Sequence, residues 1–434
     1  MTLEERAFRK ATRRLIPFLF LIYVVAYLDR VNVSFAQLQL EGDLGFSDTI
    51  FGIGAGIFSL GYVIFGVPSN LALARFGARR WLAAIMIVWG VISASMMLIS
   101  GPASFYVLRF LLGAAEAGFF PGIILFLTWW FPERERAPAL ALFLTAVSAA
   151  YVFGGPLSGA LLELDSFLEL DGWQWLFLIE GLPAIALGVV TLRRLDERPE
   201  DAAWLEPEER EFLAAEVERE RALRARLGSQ RVRDALASGR VWLFGLVNFV
   251  LLAAGFGLTF FVPDLVQDRT GYSDFEVGVL AAIPFGFATG AMIVASRRGR
   301  GLAGLMIIGA AGTLLTAYAQ SPLLLTLGIT LAAVGLLAAL PRFWLGPTAL
   351  LSGTAAAAGI ALVAVLGNLG GFVGPAFTGI AEDSSGGYEL PLTALAGALL
   401  VTAGCFRAFA SGSRRASSSA SPARGSASAE SRAG

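Results

Sequence analysis

Apolar runs of about 20 residues recur along almost the whole chain of 434 residues. A helix of about 20 residues crosses the hydrocarbon core of a bilayer, so each run predicts a spanning helix. Charged residues make up 15% of the chain, against roughly 25% in an average soluble domain. The sequence therefore predicts an all-α integral membrane protein.

Twelve spans are predicted between charged or turn-rich breaks. Their approximate limits are 15–37, 50–71, 80–99, 103–127, 138–162, 174–192, 240–262, 275–295, 302–319, 321–345, 354–380 and 389–408. We expect an N-terminal six-helix bundle over 1–192, a cytoplasmic linker over 193–239, a C-terminal six-helix bundle over 240–410 and a disordered cytoplasmic tail over 411–434. In the linker, Glu206-Pro-Glu-Glu-Arg210 predicts a helix start. The linker is interpreted as a solvated connection, with a regulatory docking site as the alternative.

Basic residues predict the orientation. With both termini in the cytoplasm, 29 of the 33 Arg and Lys residues fall on the cytoplasmic side, and the opposite loops hold only Arg269. The positive-inside rule therefore predicts cytoplasmic termini.

Weak internal repetition supports two related halves. The matches are Gly52 with Gly278 and Pro121 with Pro347, both 226 residues apart, and Phe153-Gly-Gly-Pro156 with Phe372-Val-Gly-Pro375. Three matches in the same order favour a parallel repeat of six plus six helices.

Two residue counts exclude whole classes of chemistry. The chain has no histidine and one cysteine, Cys405, so a Ser-His-Asp triad, a Cys-His pair and a His-ligated zinc site are excluded. It also lacks a phosphate-binding Gly-x-x-x-x-Gly-Lys-Ser/Thr loop and a dinucleotide motif. We therefore expect no enzyme activity, no cofactor and no metal. No nucleic-acid partner is expected either, and the chain is expected to be a monomer.

Six charged side chains fall well inside predicted spans, away from the span ends: Asp29, Arg30, Arg109, Glu116, Glu180 and Arg342. Each costs about 2.5–3.5 kcal/mol at a helix centre, so they should face protein or water. The functional interpretation is a polar cavity in which arginine binds a carboxylate substrate and carboxylates carry protons. The alternative is a set of ion pairs that pin helices together. For Glu180, capping or helix contact is at least as strong an interpretation as transport.

Spacing groups some of these residues. Arg109 and Glu116 are seven residues apart and share one helix face, with Gly113 between them. Asp29 and Arg30 are adjacent, so their side chains diverge by about 100° and cannot neutralise each other on one face.

Several motifs resemble one transporter family. They are Tyr27-Leu-Asp-Arg-Val-Asn32, Gly61-Tyr62, Val67-Pro-Ser-Asn70, Arg75-Phe-Gly-Ala-Arg-Arg80, Leu108-Arg-Phe-Leu-Leu-Gly-Ala-Ala-Glu116-Ala-Gly-Phe-Phe-Pro-Gly122 and Leu366-Gly-Asn-Leu-Gly-Gly-Phe-Val-Gly-Pro375. They resemble the anion:cation symporter family of the major facilitator superfamily. That family includes bacterial permeases for tartrate, galactonate, glucarate and phthalate, and animal carriers of sialic acid and glutamate.

The resemblance implies the major facilitator fold, alternating access and proton-coupled uptake across the plasma membrane. It assigns Arg30 to the substrate carboxylate, Asp29 and Glu116 to protonation, and Arg109 to holding Glu116. Tyr62 and Asn368 would line the cavity as hydroxyl and amide donors. The gating loop after the second span would include Asn70, Arg75, Gly77 and Arg79.

Three departures from the family pattern carry predictions. Asn70 stands where the gating loop usually has an acid, and the later copy is reduced to Ser296-Arg-Arg-Gly-Arg300, which predicts a weakly closing cytoplasmic gate. The third departure is Arg342, where relatives have an apolar residue. The repeat offset relates Arg342 to Glu116. Arg342 is therefore predicted either to supply a second carboxylate site or to pair with Glu116, against a simple snorkelling position.

The leading functional hypothesis is a secondary active transporter that carries a small organic anion together with protons. Two alternatives remain open at this stage: a uniporter or exporter of the same anions, and a membrane sensor that binds a ligand without moving it.

Overall fold

The computed structural model describes residues 2–226, 237–298, 301–350 and 353–419. The first half contains α1 (Leu3–Leu44), α2 (Asp48–Phe76), α3 (Ala78–Ser95), α4 (Pro102–Glu116), α5 (Phe119–Trp130), α6 (Glu133–Leu162) and α7 (Gly172–Arg194). The linker contains α8 (Pro207–Arg226). The second half contains α9 (Gly239–Thr259), α10 (Val262–Thr270), α11 (Asp274–Arg298), α12 (Leu302–Tyr318), α13 (Pro322–Leu350), α14 (Gly353–Ser385) and α15 (Glu389–Ser419).

The described residues confirm the predicted all-α membrane fold. Eleven segments are long and apolar enough to cross a bilayer, and Leu302–Tyr318 is a shorter apolar helix at the ninth predicted span. Helix α1 extends beyond the predicted limits of 15–37 at both ends because its termini carry polar turns that continue the helix outside the apolar stretch. If each of these twelve apolar helices of the described residues crosses once, the start of α1 and the described end of α15 lie on the same face.

The fourth predicted span, 103–127, is two helices rather than one. Helix α4 ends at Glu116 and α5 begins at Phe119. Pro121 has no N–H to bond the carbonyl of Ala117, which explains the break in the helix. The break leaves the Glu116 carboxylate at the negative end of the α4 dipole, where it needs a nearby cation for stability.

Small residues allow the two halves to approach closely at the face opposite the termini. Helix α2 packs against α14, and α6 packs against α11. The backbones of Gly155 and Gly278 meet so closely that a Cβ atom on either would collide with the carbonyl oxygen of the other. Nearby, Tyr151 of α6 stacks on Phe285 of α11 with ring centroids 4.1 Å apart.

The first part of the linker docks on the N-terminal half. Helix α8 begins at Pro207, as the sequence predicts, and buries Leu213. The Lys10 ammonium donates to Glu209 at 2.8 Å, and the Glu206 N–H donates to the same oxygen at 3.0 Å. Burial alone would raise the pKa of Glu209, but these hydrogen bonds hold that pKa below its usual range.

Residues 411–419, which the sequence assigns to a disordered tail, continue α15 as far as Ser419. Residues 420–434 lie outside the described residues, as do residues 227–236 of the linker.

Candidate functional site

An ion pair between α1 and α4 lies at the centre of the N-terminal half. Arg30 donates to Oε1 of Glu116 from Nε at 2.9 Å and from Nη2 at 2.5 Å. The Glu116 side chain is 3% exposed, whereas that of Arg30 is 17% exposed. Both contacts use one edge of the guanidinium and one carboxylate oxygen. Because the two side chains differ in exposure, the pair is buried on the Glu116 side and accessible on the Arg30 side.

Three aromatic rings surround the Arg30 guanidinium. Its central carbon lies 5.0 Å from the ring centroid of Tyr27, 5.2 Å from that of Phe58 and 5.4 Å from that of Tyr62. Tyr27 precedes Arg30 by three residues on α1, and Phe58 precedes Tyr62 by four on α2, so each pair shares a helix face. Ring faces attract a cation, and they also exclude water. The electrostatic attraction between Arg30 and an incoming anion is therefore stronger here than in bulk water. We call these four residues the Arg30 cage.

Asp29 points away from the cage. Its carboxylate accepts hydrogen bonds from Trp89 Nε1 and from Ser93 Oγ, both at 2.7 Å, on α3. This separation of adjacent charges agrees with the 100° divergence expected from the sequence. Asp29 therefore lies in a polar pocket of its own, 2% exposed.

Arg109, predicted to hold Glu116, makes its hydrogen bonds elsewhere in this structure, so that role stays a prediction. Arg109 is 1% exposed and donates to the backbone carbonyls of Gly54 at 3.3 Å and Ala55 at 3.1 Å. A Cβ atom at Gly113 would collide with the Phe58 carbonyl, so glycine brings α2 close enough for Arg109 to reach its backbone. Spacing along α4 correctly predicts a shared face but gives no information about the neighbouring helix.

Glu180 is fully buried and separate from the cage. It accepts a hydrogen bond from Ser158 Oγ at 2.9 Å, which joins α7 to α6. This contact is the helix-to-helix role that the sequence offered as an alternative to transport.

The two predicted cavity residues of the C-terminal half lie on α13 and α14. Asn368 is half-buried on α14 and donates from Nδ2 to the Ala364 carbonyl of its own helix at 2.9 Å. Arg342 is half-buried on α13. In this conformation the Glu116 carboxylate is held by Arg30, so the proposed pair of Glu116 with Arg342 stays a prediction.

Asn70, the residue that replaces the usual acid of the predicted gating loop, forms a hydrogen bond within its own helix. Asn70 donates from Nδ2 to the carbonyl of Gly66, one turn earlier on α2, at 2.8 Å. The Arg75 guanidinium lies 5.6 Å from the ring centroid of Phe76. The reduced second copy, Ser296 to Arg300, cannot be compared because its side chains lie outside the described residues.

A carboxylate from a distant part of the sequence accepts hydrogen bonds at the end of this loop. Gly77 joins α2 to α3 with φ of 86°, a backbone conformation that favours glycine. Glu197, which follows α7, accepts from the backbone N–H of Ala78 at 2.5 Å and of Arg79 at 3.1 Å. The loop itself holds no acid at Asn70, but a carboxylate reaches its end from residue 197, where no local motif reveals it. The weakly closing gate stays a prediction.

Glu197→Ala should lower the apparent melting temperature of the purified protein. The change leaves two N–H groups at the start of α3 without acceptors and removes an anion from the positive end of the helix dipole, a loss of about 1–2 kcal/mol. Thermal unfolding in detergent measures the effect. The matched control is Glu200→Ala, because Glu200 is exposed in the same short segment, and equal melting temperatures for the two variants would contradict the assignment.

Two packed halves of membrane-spanning helices, the first with a buried arginine–glutamate pair, are typical of a multi-pass membrane transporter, and known proteins confirm this class. Residues 19–375 match the family described as the Major Facilitator Superfamily, and the chain belongs to that family. A protein of Agrobacterium vitis named "Putative tartrate transporter" is 47% identical over 408 residues, covering 92% of this chain and 90% of that protein. The resemblance to permeases of the tartrate type is thus confirmed, and these relatives are transporters, not enzymes.

Two further proteins show how far the similarity extends. A quinolone resistance transporter of Acinetobacter baumannii is 38% identical over 412 residues, covering 92% of this chain and 95% of that protein. Among solved structures, a D-xylose-proton symporter has a TM-score of 0.72 and 15% identity, covering 90% of this chain and 96% of that one. At this identity the structural match shows the shared fold alone.

Proposed function

We propose that the protein is a proton-coupled symporter of a small organic anion that carries at least one carboxylate. The observation that carries this proposal is the Arg30 cage: a cation at the centre of a bundle, walled by aromatic rings and partly exposed on one side. The guanidinium binds a carboxylate in bidentate fashion, and Glu116 occupies one of its edges. The relative named as a tartrate transporter supports a hydroxy-dicarboxylate or sugar acid as substrate.

Exchange of partners at Arg30 provides the coupling. When the substrate carboxylate binds Arg30, the Glu116 carboxylate loses its cation and is left buried with a negative charge, which is costly. A proton on Glu116 removes that charge, so anion and proton enter the cavity together. Asp29 is proposed as a second protonation site, connected to α3 through Trp89 and Ser93.

Alternating access would carry the pair across the plasma membrane, with both termini in the cytoplasm. In this structure the halves meet at the face opposite the termini, through contacts such as Gly155 with Gly278. Tyr62, Asn368 and Arg342 are proposed to complete the substrate contacts from α2 and the C-terminal half. The loop around Gly77, with Glu197, is proposed as the gate on the cytoplasmic face.

The available driving force is sufficient for accumulation. Each proton contributes about 1.4 kcal/mol per pH unit, and each net positive charge contributes about 2.3 kcal/mol per 100 mV. A second candidate is a uniporter or exporter of the same anions, and a protein named as a quinolone resistance transporter is among the similar proteins.

The proposal predicts that a carboxylate anion stabilises the protein and is then taken up. Purified protein would be screened by thermal shift against sugar acids, tartrate and other hydroxy-dicarboxylates, and aromatic acids. Flux of any stabilising anion into proteoliposomes is expected to rise at least tenfold with an inwardly directed proton gradient. Flux unaffected by collapse of the gradient would favour a uniporter or exporter, and binding without flux would favour a ligand sensor.

A further inference from the structure

The face opposite the termini is strongly acidic. Its four charged segments, 38–50, 163–172, 264–276 and 382–389, contain 14 Asp and Glu residues and one basic residue, Arg269. Arg269 donates to Glu389 at 2.6 Å and so is already paired. This excess of negative charge attracts cations to the face, and its distribution within the structure shows where one could be bound.

Three of these acids converge from the two halves. Asp48 begins α2, and Glu382 and Asp383 lie near the end of α14. One carboxylate oxygen from each lies within 4.8 Å of the others. Among the ion pairs of the described residues, none includes any of these three carboxylates.

A buried amide beside the acids provides an independent observation. Gln37 of α1 is 4% exposed, and its Nε2 donates to Asp48 Oδ1 at 2.5 Å. Its carbonyl oxygen, Oε1, is buried and has no hydrogen-bond partner among the described residues. A buried acceptor without a donor costs free energy, and an amide oxygen next to carboxylates is a ligand that hard cations use.

We propose that Asp48, Glu382, Asp383 and Gln37 form a binding site for a divalent cation of the calcium type. Ca²⁺ binds six to eight oxygens at about 2.3–2.6 Å in flexible geometry, whereas Mg²⁺ requires an octahedron at about 2.0–2.1 Å. Oxygens separated by up to 4.8 Å suit the larger ion. The ligands come from α1 and α2 on one side and α14 on the other, so the bound ion fastens the two halves at this face.

Neighbouring contacts do not remove the need for a cation. The Thr49 N–H donates to Asp383 Oδ2 at 2.9 Å, which explains one of the three acids as a cap of α2. The Tyr388 hydroxyl donates to Asp264 at 2.5 Å and reaches Asp48 at 3.3 Å. These donors are neutral, so none of them brings a positive charge to the three grouped carboxylates.

Calcium binding by the purified full-length protein tests the proposal. After treatment with a chelator, CaCl2 would be titrated by calorimetry and by thermal unfolding, with MgCl2 in parallel and KCl at matched ionic strength. We expect one saturable Ca²⁺ site per chain, with a dissociation constant in the range of about 10⁻⁴–10⁻³ M found in extracellular calcium modules, a higher melting temperature, and weaker binding of Mg²⁺.

Variants separate a defined site from diffuse attraction. Glu382→Gln and Gln37→Leu are each expected to weaken Ca²⁺ binding at least tenfold. Glu163→Gln removes the same charge from an exposed position on the same face and should leave binding unchanged within twofold. The wild-type titration decides the question even if a variant does not fold. Absence of saturable binding below 10 mM (about tenfold above the expected range), an equal effect of Glu163→Gln, or stabilisation by acidification but not by Ca²⁺ would overturn the proposal.

Discussion

Arg30→Ala is expected to reduce anion binding at least 100-fold and to abolish uptake. The change removes the one cation enclosed by Tyr27, Phe58 and Tyr62, and a 100-fold loss corresponds to about 2.7 kcal/mol. It also leaves Glu116 buried without its partner, which typically destabilises a protein by about 3–5 kcal/mol. Binding measured by calorimetry, uptake into proteoliposomes and the melting temperature give the three readouts.

Two further variants distinguish loss of binding from loss of folding. Arg30→Lys keeps the charge but not the planar fork, so binding is expected to fall between wild type and Arg30→Ala. The double change Arg30→Ala with Glu116→Gln removes both charges, so the melting temperature should recover while uptake stays absent. Anion binding by Arg30→Ala within threefold of wild type would remove Arg30 from the substrate site.

Glu116→Gln is expected to uncouple transport from the proton gradient. The glutamine keeps the shape of the side chain and can still accept a hydrogen bond from Arg30, but it cannot exchange a proton. Accumulation driven by a proton gradient should fall at least tenfold, to simple equilibration, while exchange of labelled for unlabelled anion continues. Wild-type uptake should rise as the external pH falls, and uptake by the variant should depend on pH much less, since only the proposed Asp29 site is left to titrate.

Glu180→Gln is the matched control for this experiment. Glu180 is also a buried carboxylate of the N-terminal half, but it lies outside the Arg30 cage and accepts from Ser158, a bond that glutamine can keep. It should retain the pH dependence of the wild type. If Glu116→Gln accumulates anion as well as the wild type, or if Glu180→Gln fails equally, coupling does not pass through Glu116.

Features that depend on the local pattern of residues, such as the spanning helices and the direction of side chains on one helix, could be predicted from the sequence. Apolar length indicated the spanning helices, because a bilayer requires backbone hydrogen bonds to be satisfied within each segment. The cost of placing charge in lipid singled out Arg30 and Glu116 as buried residues. The rotation of about 100° per residue in a helix was enough to separate Asp29 from Arg30.

Partners that meet from distant parts of the chain could not be predicted in the same way. Helical spacing placed Arg109 and Glu116 on one face, yet glycine at Gly113 brings α2 so near that Arg109 bonds its backbone, and Glu116 pairs with Arg30 instead. The carboxylate that caps the start of α3, beside the predicted gating loop, is Glu197, more than 100 residues away.

Periodicity and transfer free energy act on residues within one helix, so the sequence by itself determined the membrane class, the approximate positions of the spanning helices and the charged residues buried among those helices. Contacts between helices depend on the distance between their backbones, which small residues and helix breaks set. Only the tertiary structure therefore decided that an aromatic cage encloses Arg30, that Glu116 is its partner, and that three acids of the opposite face meet beside Gln37.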